Sequence, residues 1–434
     1  MKRAIVHFES VCGAVRPQHC LSYAFRGGRR YIDSLHEALG ESELYTRIQG
    51  NAVSYGKSVD IPYIFRNFDA DANDPASYYF PQTDSVMHDA STYAKHIIYT
   101  LCAPRELRAP RIYCTVPKDF EKWADVCVNI IRHYTKGLWD GFTYPIDRFE
   151  IWNEPDNPVF WEGTPEEYCR LYEITARKIK ALDPAFKVGG PSLSLFEEKG
   201  FAFAKYFLDY VKSHDVPLDF FSFHSCDTDP NAVAYRVSRV SSLLSDYGKP
   251  VEVFQTAWAC VDEKGDERTR FDNLRNAQGA AYASAVMSIL QNSNTSASVS
   301  NVATICDAIN TGSQYGAFLG WYGEWQKPFY ALLAYKVLYE LGTEVRSEGY
   351  GLYVTAATDN GGKGAVLVTN FDGKTERAEI LVTGRKSFRA TYRILDETRD
   401  LATVKIEEYR DGNEYVLAAE LRGYTTLLIE LEDI

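Results

Sequence analysis

A glutamate placed between a strand-like run and a loop is the feature of this sequence best suited to chemistry. Phe149-Glu150-Ile151-Trp152 reads as a strand and leads directly into Asn153-Glu154-Pro155-Asp156, so Glu154 falls where the strand ends. A carboxyl group there can protonate a departing oxygen, the step that acetal cleavage needs, provided it keeps its proton near neutral pH. Burial among Trp152, Phe160 and Trp161 would raise its pKa by desolvation. Asn153 beside it can hydrogen-bond a sugar 2-hydroxyl, a contact that strengthens in the transition state. The plainer reading of Asn-Glu-Pro is ordinary helix-start chemistry.

Other chemistries find less support. The eight histidines form no HExxH or His-x-His cluster, and His224 with Cys226 falls short of a four-ligand set, so no metal is expected. Gly189-Gly190 and Gly361-Gly362 read as a strand end and a turn, not phosphate loops, and no Gly-x-Ser-x-Gly elbow is present. No cofactor is called for.

The elements that must position Glu154 follow an α/β rhythm. Between about residues 30 and 340, short apolar runs alternate with amphipathic helical segments, as in βα units around a parallel sheet. Strands are expected at 44–48, 96–101, 148–152, 187–190, 219–224, 251–254 and 302–306, with an eighth near 11–15. The segment 164–182 opens with the cap-like Thr164-Pro165-Glu166-Glu167 and stops before Asp183-Pro184, marking a helix. The Asp-, Asn-, Pro- and Tyr-rich stretch 60–87 interrupts the rhythm as an insertion on a βα loop, where specificity is usually built. Past residue 345, alternating strands join through turns such as Asp359-Asn360-Gly361-Gly362, Asp372-Gly373 and Asp411-Gly412-Asn413. The expected architecture is a (β/α)8 TIM barrel over 10–344 with an antiparallel β-sandwich accessory domain over 345–434, completed by 1–9.

Bulk properties agree with that size and narrow the partners. A chain of 434 residues suits a barrel of roughly 250 to 350 residues plus a smaller unit. A net charge of −12 argues against nucleic acid or an anionic membrane, both of which select clustered Lys and Arg. A neutral ligand such as an oligosaccharide or glycoside is easier to reconcile. Aromatic residues reach 14%; most fill the core, while Trp152 and Trp258 are candidate platforms for the CH faces of sugars. Nine scattered cysteines without CxxC pairs, and a start that reads as a strand and not a signal peptide, point to a reduced, cytoplasmic protein. Homo-oligomerisation is left open.

Taken together, these motifs resemble glycoside hydrolase family 39 of clan A, which includes β-xylosidases. Trp152-Asn153-Glu154-Pro155 resembles its acid/base signature at the end of strand 4. Tyr45-Thr46-Arg47-Ile48-Gln49-Gly50 is similar to its strand 2, Val188-Gly189-Gly190-Pro191 to strand 5 and Phe221-Ser222-Phe223-His224 to strand 6. Lys327-Pro328-Phe329-Tyr330-Ala331 is similar to its last barrel helix. The resemblance implies a retaining glycosidase acting on β-glycosidic bonds in oligosaccharides or plant-type glycans, with Glu154 as acid/base. It also implies that His224 meets the sugar or orients a carboxylate. Near the end of strand 2 the family tends to carry a histidine, where this chain has Gln49.

The family sets its nucleophilic glutamate at the end of strand 7 in a pattern like Thr-Glu-aromatic-Asn-Thr. The run here is Glu252-Val253-Phe254-Gln255-Thr256-Ala257-Trp258; aligned on Gln255-Thr256, the nucleophile position holds Val253, with Glu252 one residue early. An offset of one turns a strand side chain to the opposite face unless a bulge intervenes. An unpaired carboxylate against the helix layer would cost several kcal/mol, so Glu252 is expected to face inward and act as nucleophile about 5 Å from Glu154. The other reading is that the nucleophile is absent. The chain would then be a carbohydrate-binding protein, or a non-retaining member served by Asp307, or by Asp227 and Asp229. A purely structural scaffold is the third class.

Overall fold

The computed structural model describes residues 1–23, 37–38, 45–48, 59–104, 114–194, 198–262, 265–266, 269–293, 299–307 and 324–434. Eight parallel strands close into a barrel: β2 (Cys20–Tyr23), β3 (Tyr45–Ile48), β4 (His96–Leu101), β5 (Ile146–Ile151), β6 (Lys187–Leu193), β7 (Phe220–Asp227), β8 (Val251–Cys260) and β9 (Val299–Asp307). The described side chains of β4 to β8 are mostly buried because both faces are covered, by helices outside and packed side chains within, although β5 carries Asp147, Arg148 and Glu150. Among the described residues the surrounding helices are α1 (Pro81–Tyr93), α2 (Phe120–Lys136), α3 (Pro165–Leu182), α4 (Glu198–Ser213), α5 (Pro230–Tyr247), α6 (Ala277–Asn292) and α7 (Lys327–Leu341). Helix α3 begins with a complete capping box, Thr164 and Glu167 each satisfying the other's backbone N–H.

A second sheet of nine strands runs in the order β15-β14-β17-β12-β11-β10-β1-β13-β16. Its members are β1 (Lys2–Ala14), β10 (Thr343–Tyr350), β11 (Tyr353–Thr358), β12 (Lys363–Asn370), β13 (Glu376–Thr383), β14 (Phe388–Leu395), β15 (Asp400–Tyr409), β16 (Glu414–Leu421) and β17 (Thr425–Asp433). The sheet bends back on itself into a sandwich: Tyr415 of β16 meets Phe388 and Tyr409 of the far edge, ring centroids 5.1 and 5.4 Å apart. Its own core includes Val6, Val366, Ile380, Tyr392 and Ile429. Strand β1 is parallel to β13 and antiparallel to β10, fastening the start of the chain into this unit.

One expectation needs correction. Residues 11–15 do not form a barrel strand: β1 continues to Ala14, pairing Val11 with Val345 and Ala14 with Thr343, and β2 supplies the eighth position in the barrel. Strand β15 is a charged edge strand, largely exposed, whose polar residues hide any alternation in the sequence. The insertion over 60–87 folds against α2, where Asn129 donates to the Ala72 carbonyl at 2.9 Å and His133 stacks on Phe80 at 3.6 Å. Among the described residues, no helix is long and apolar enough to cross a membrane.

Candidate active site

At the end of β5 the chain leaves the sheet abruptly. Trp152 and Glu154 have φ of 71° and 45°, left-handed conformations that non-glycine residues adopt at a cost of about 1 kcal/mol or more each. The surroundings enforce this. Trp152 donates its backbone N–H to Leu101 and its indole N–H to the Phe160 carbonyl at 3.0 Å, while its buried ring lies edge-on to Trp161. The Glu154 N–H donates to the Ser192 carbonyl at 3.0 Å, tying the end of β5 to that of β6, where Ser192 is itself left-handed at φ 58°. Trp152 is therefore a packing and shaping residue, also against Trp123, and not the sugar platform expected of it.

The Glu154 carboxylate is 13% exposed and held on both oxygens: His224 Nδ1 lies 2.6 Å from Oε1, and Asn157 donates to Oε2 at 2.9 Å. His224 Nε2 lies 2.8 Å from Ser192 Oγ, which also sits 3.4 Å from Asn153 Oδ1 and 3.5 Å from Thr256 Oγ1. Thr256 donates to Glu150, a buried carboxylate that also accepts from Thr100 at 2.7 Å. Residues of five successive strands or their ends thus join through one network beneath Glu154.

That network suits a carboxyl group that gains and loses a proton. When Glu154 is ionised, His224 donates from Nδ1 and its Nε2 accepts from the Ser192 hydroxyl. When Glu154 is protonated, it donates to Nδ1, and Nε2–H donates to Ser192. A serine hydroxyl serves in both states, so the imidazole can change tautomer without moving.

The expected nucleophile is elsewhere. Glu252 is the second residue of β8, in register with Phe220, four residues before His224. At roughly 3.3 Å per residue that is about 13 Å below the His224 level, against the roughly 5 Å that retention needs. Its carboxylate is bound by Arg148 at 3.1 Å and by Lys187, spanning β5, β6 and β8 across the lower barrel interior. Glu252 does face inward, but at the wrong end, as part of a structural ion cluster.

The residue of β8 at the level of the site is Ala257. A bulge between Gln255 and Ala257 inserts Thr256, after which His224 pairs with Ala257 and Ser225 with Trp258. Ser225 accepts from Arg236 of α5 and Trp258 packs against Tyr282 of α6, so this pair faces the helix layer. Their predecessors, His224 and Ala257, consequently face the barrel axis. Trp258 is core and not a sugar platform, and Val253 is likewise buried below the site.

The alternative acids also have positions. Asp227 ends β7 and accepts from Arg236 at 3.0 Å, while Asp229 caps α5 through the Asn231 N–H. Both have structural uses. Asp307 is the last residue of β9, at the same end of the barrel as Glu154. Gln49 lies outside the described residues. Sequence reasoning missed Asn157, Ser192, Thr256 and Ala257; only the last carried a signal, since Thr256-Ala257-Trp258 matches Thr-Glu-aromatic with alanine at the glutamate.

Residues 111–263 match the model of Glycosyl hydrolases family 39. The chain is 37% identical over 114 residues to a β-xylosidase of Geobacillus stearothermophilus, covering 26% of this chain and 21% of that protein. It is 36% identical over 121 residues to a β-xylosidase of Caldicellulosiruptor saccharolyticus, covering 26% and 22%. The matches span about a fifth of the length of these curated relatives. Among solved structures, a glucosidase from Croceicoccus marinus aligns over 100% of this chain and 99% of its own, with TM-score 0.75 and 20% identity. The GH39 enzyme from Xanthomonas axonopodis pv. citri aligns over 100% and 97%, with TM-score 0.71 and 18% identity. At those identities the likeness speaks to fold. The chain thus resembles glycosyl hydrolase family 39 in sequence over the segment that carries Glu154, His224 and Ala257, and in fold over its whole length.

Proposed function

We propose that this protein is a glycosidase acting on β-glycosidic bonds of oligosaccharides or plant-type glycans, with Glu154 protonating the departing oxygen. The observation that carries the reading is the Glu154 carboxylate at the barrel's C-terminal rim, hydrogen-bonded to a histidine and an amide whose geometry serves both of its protonation states. The likeness to proteins named β-xylosidase supports a pentoside or hexoside as substrate. Asn153, beside the acid, is the residue we assign to a sugar hydroxyl. The described cysteines are free thiols, which supports a reducing, cytoplasmic setting.

The strand geometry favours a second reading, a carbohydrate-binding protein without turnover: Ala257 is at the rim of β8 and Glu252 is committed to an ion cluster. A panel of aryl β-glycosides separates the two. Hydrolysis by the wild-type protein that falls about 10²- to 10⁴-fold in Glu154→Gln supports the enzyme. Calorimetric binding of xylo- or gluco-oligosaccharides with no turnover supports the binding protein.

A further inference from the structure

The bulge in β8 decides what faces the acid. A double displacement needs a second carboxylate roughly 5 to 5.5 Å from the first, on the opposite side of the anomeric carbon. Three carboxylates near this level are held by other partners: Glu150 accepts from Thr100 and Thr256, Asp156 from Ser194, and Asp227 from Arg236. Ala257, inward-facing and in register with the histidine that holds Glu154, presents a methyl group. Thr256 beside it directs its hydroxyl to Glu150 and Ser192, so the neighbouring polar side chain does not substitute for the missing group.

We infer that Ala257 occupies the place of the second carboxylate and that the protein carries out a single displacement with a small external anion as nucleophile. The inference rests on Glu154 being the proton donor. A formate- or azide-sized anion fits the difference between an alanine and a glutamate side chain. In the step, a lone pair of the anion forms a bond to the anomeric carbon from the face opposite the aglycone. The bond from that carbon to the aglycone oxygen breaks with its electron pair on oxygen, and the Glu154 proton moves to that oxygen. The product is an α-glycosyl azide or formate from a β-glycoside, and Glu154 is reprotonated from solvent.

The test uses the full chain with dinitrophenyl β-xyloside and β-glucoside, whose leaving group needs no acid, with and without sodium azide. The expected result is slow turnover alone, acceleration by at least about tenfold with azide, and an α-glycosyl azide identified by NMR. Ala257→Glu is expected to hydrolyse the same substrates without added anion, to release the β-anomer first, and to lose the azide dependence. Should that variant fail to fold, the wild-type azide experiment decides alone.

Wild-type turnover unaffected by azide, whether it releases the β- or the α-anomer, overturns the inference, because a nucleophile or water-activating base is then already in place. Absence of turnover even with azide overturns it as well. Failure of the Glu154 assignment looks different: Glu154→Gln would then be as active as wild type on poor leaving groups, whatever azide does.

Discussion

The two ends of the barrel each hold an inward-facing glutamate, and their neighbours give them different work. At the lower end Glu252 lies between the ammonium of Lys187 and the guanidinium of Arg148, which also pairs with Asp147, so that it is one member of an ion cluster. At the rim Glu154 is met by an imidazole, whose Nδ1 can donate or accept according to its tautomer, and by the Asn157 amide, which donates to it. The first arrangement holds strands together; the second lets a proton come and go. A glutamate's chemistry is thus read from its partners, and the strand-level pattern that made Glu252 look catalytic says nothing about them.

The comparison can be broken or sharpened by substitution. The largest effect belongs to Glu154→Gln, for which the loss of activity on poor leaving groups should reach about 10²- to 10⁴-fold while thermal stability barely changes. Glu252→Gln should do the reverse. Removing the charge that Lys187 and Arg148 share, while Arg148 keeps Asp147, should cost about 2 kcal/mol of stability, measured by urea unfolding, with kcat of the folded protein unchanged. A large loss of kcat there would return Glu252 to the mechanism.

The buried histidines extend the contrast. His19, between Tyr335 and Tyr339, is fully buried with neither ring nitrogen hydrogen-bonded, and desolvation, with Lys336 adding to it, pushes its pKa down to about 3. Between the unfolded value near 6.5 and about 3, the unfolded chain binds a proton that the folded one refuses, so stability falls as pH drops through that window. His19→Leu should flatten this acid limb, by roughly 1 kcal/mol per pH unit, in urea titrations at pH 6, 5 and 4. An unchanged limb would place the acid sensitivity elsewhere. The smallest expected effect is that of Ser192→Ala, which removes the hydroxyl behind His224. It should lower kcat by about tenfold and shift the pH profile of kcat/KM, leaving KM nearly untouched. A purely structural serine would instead leave the profile in place.

Much of the fold was legible from local pattern. The run from Phe149 to Pro155 announced both a strand and its functional end, and Thr164 to Glu167 announced the cap of α3, because both are contiguous in sequence. What failed depends on register. Whether residues 11–15 join the barrel or extend β1 turns on pairing with Val345 and Thr343, more than 300 positions away. The phase of β8 turns on one bulged residue, Thr256, which moves the inward set from even to odd positions and brings Ala257, not Val253, to the rim. Ser192 was invisible because its role comes from a neighbouring strand's histidine, and Trp152 and Trp258 misled because an indole looks the same in sequence whether it serves a sugar or a core.

The central claim is that Glu154 delivers the proton to the leaving oxygen. Its most direct test is the dependence of kcat/KM on aglycone pKa across a series of aryl β-glycosides, compared between the wild-type protein and Glu154→Gln. The account predicts a shallow dependence for wild type and a steep one for the variant, the two converging at the dinitrophenyl member. Parallel lines of equal slope would contradict it.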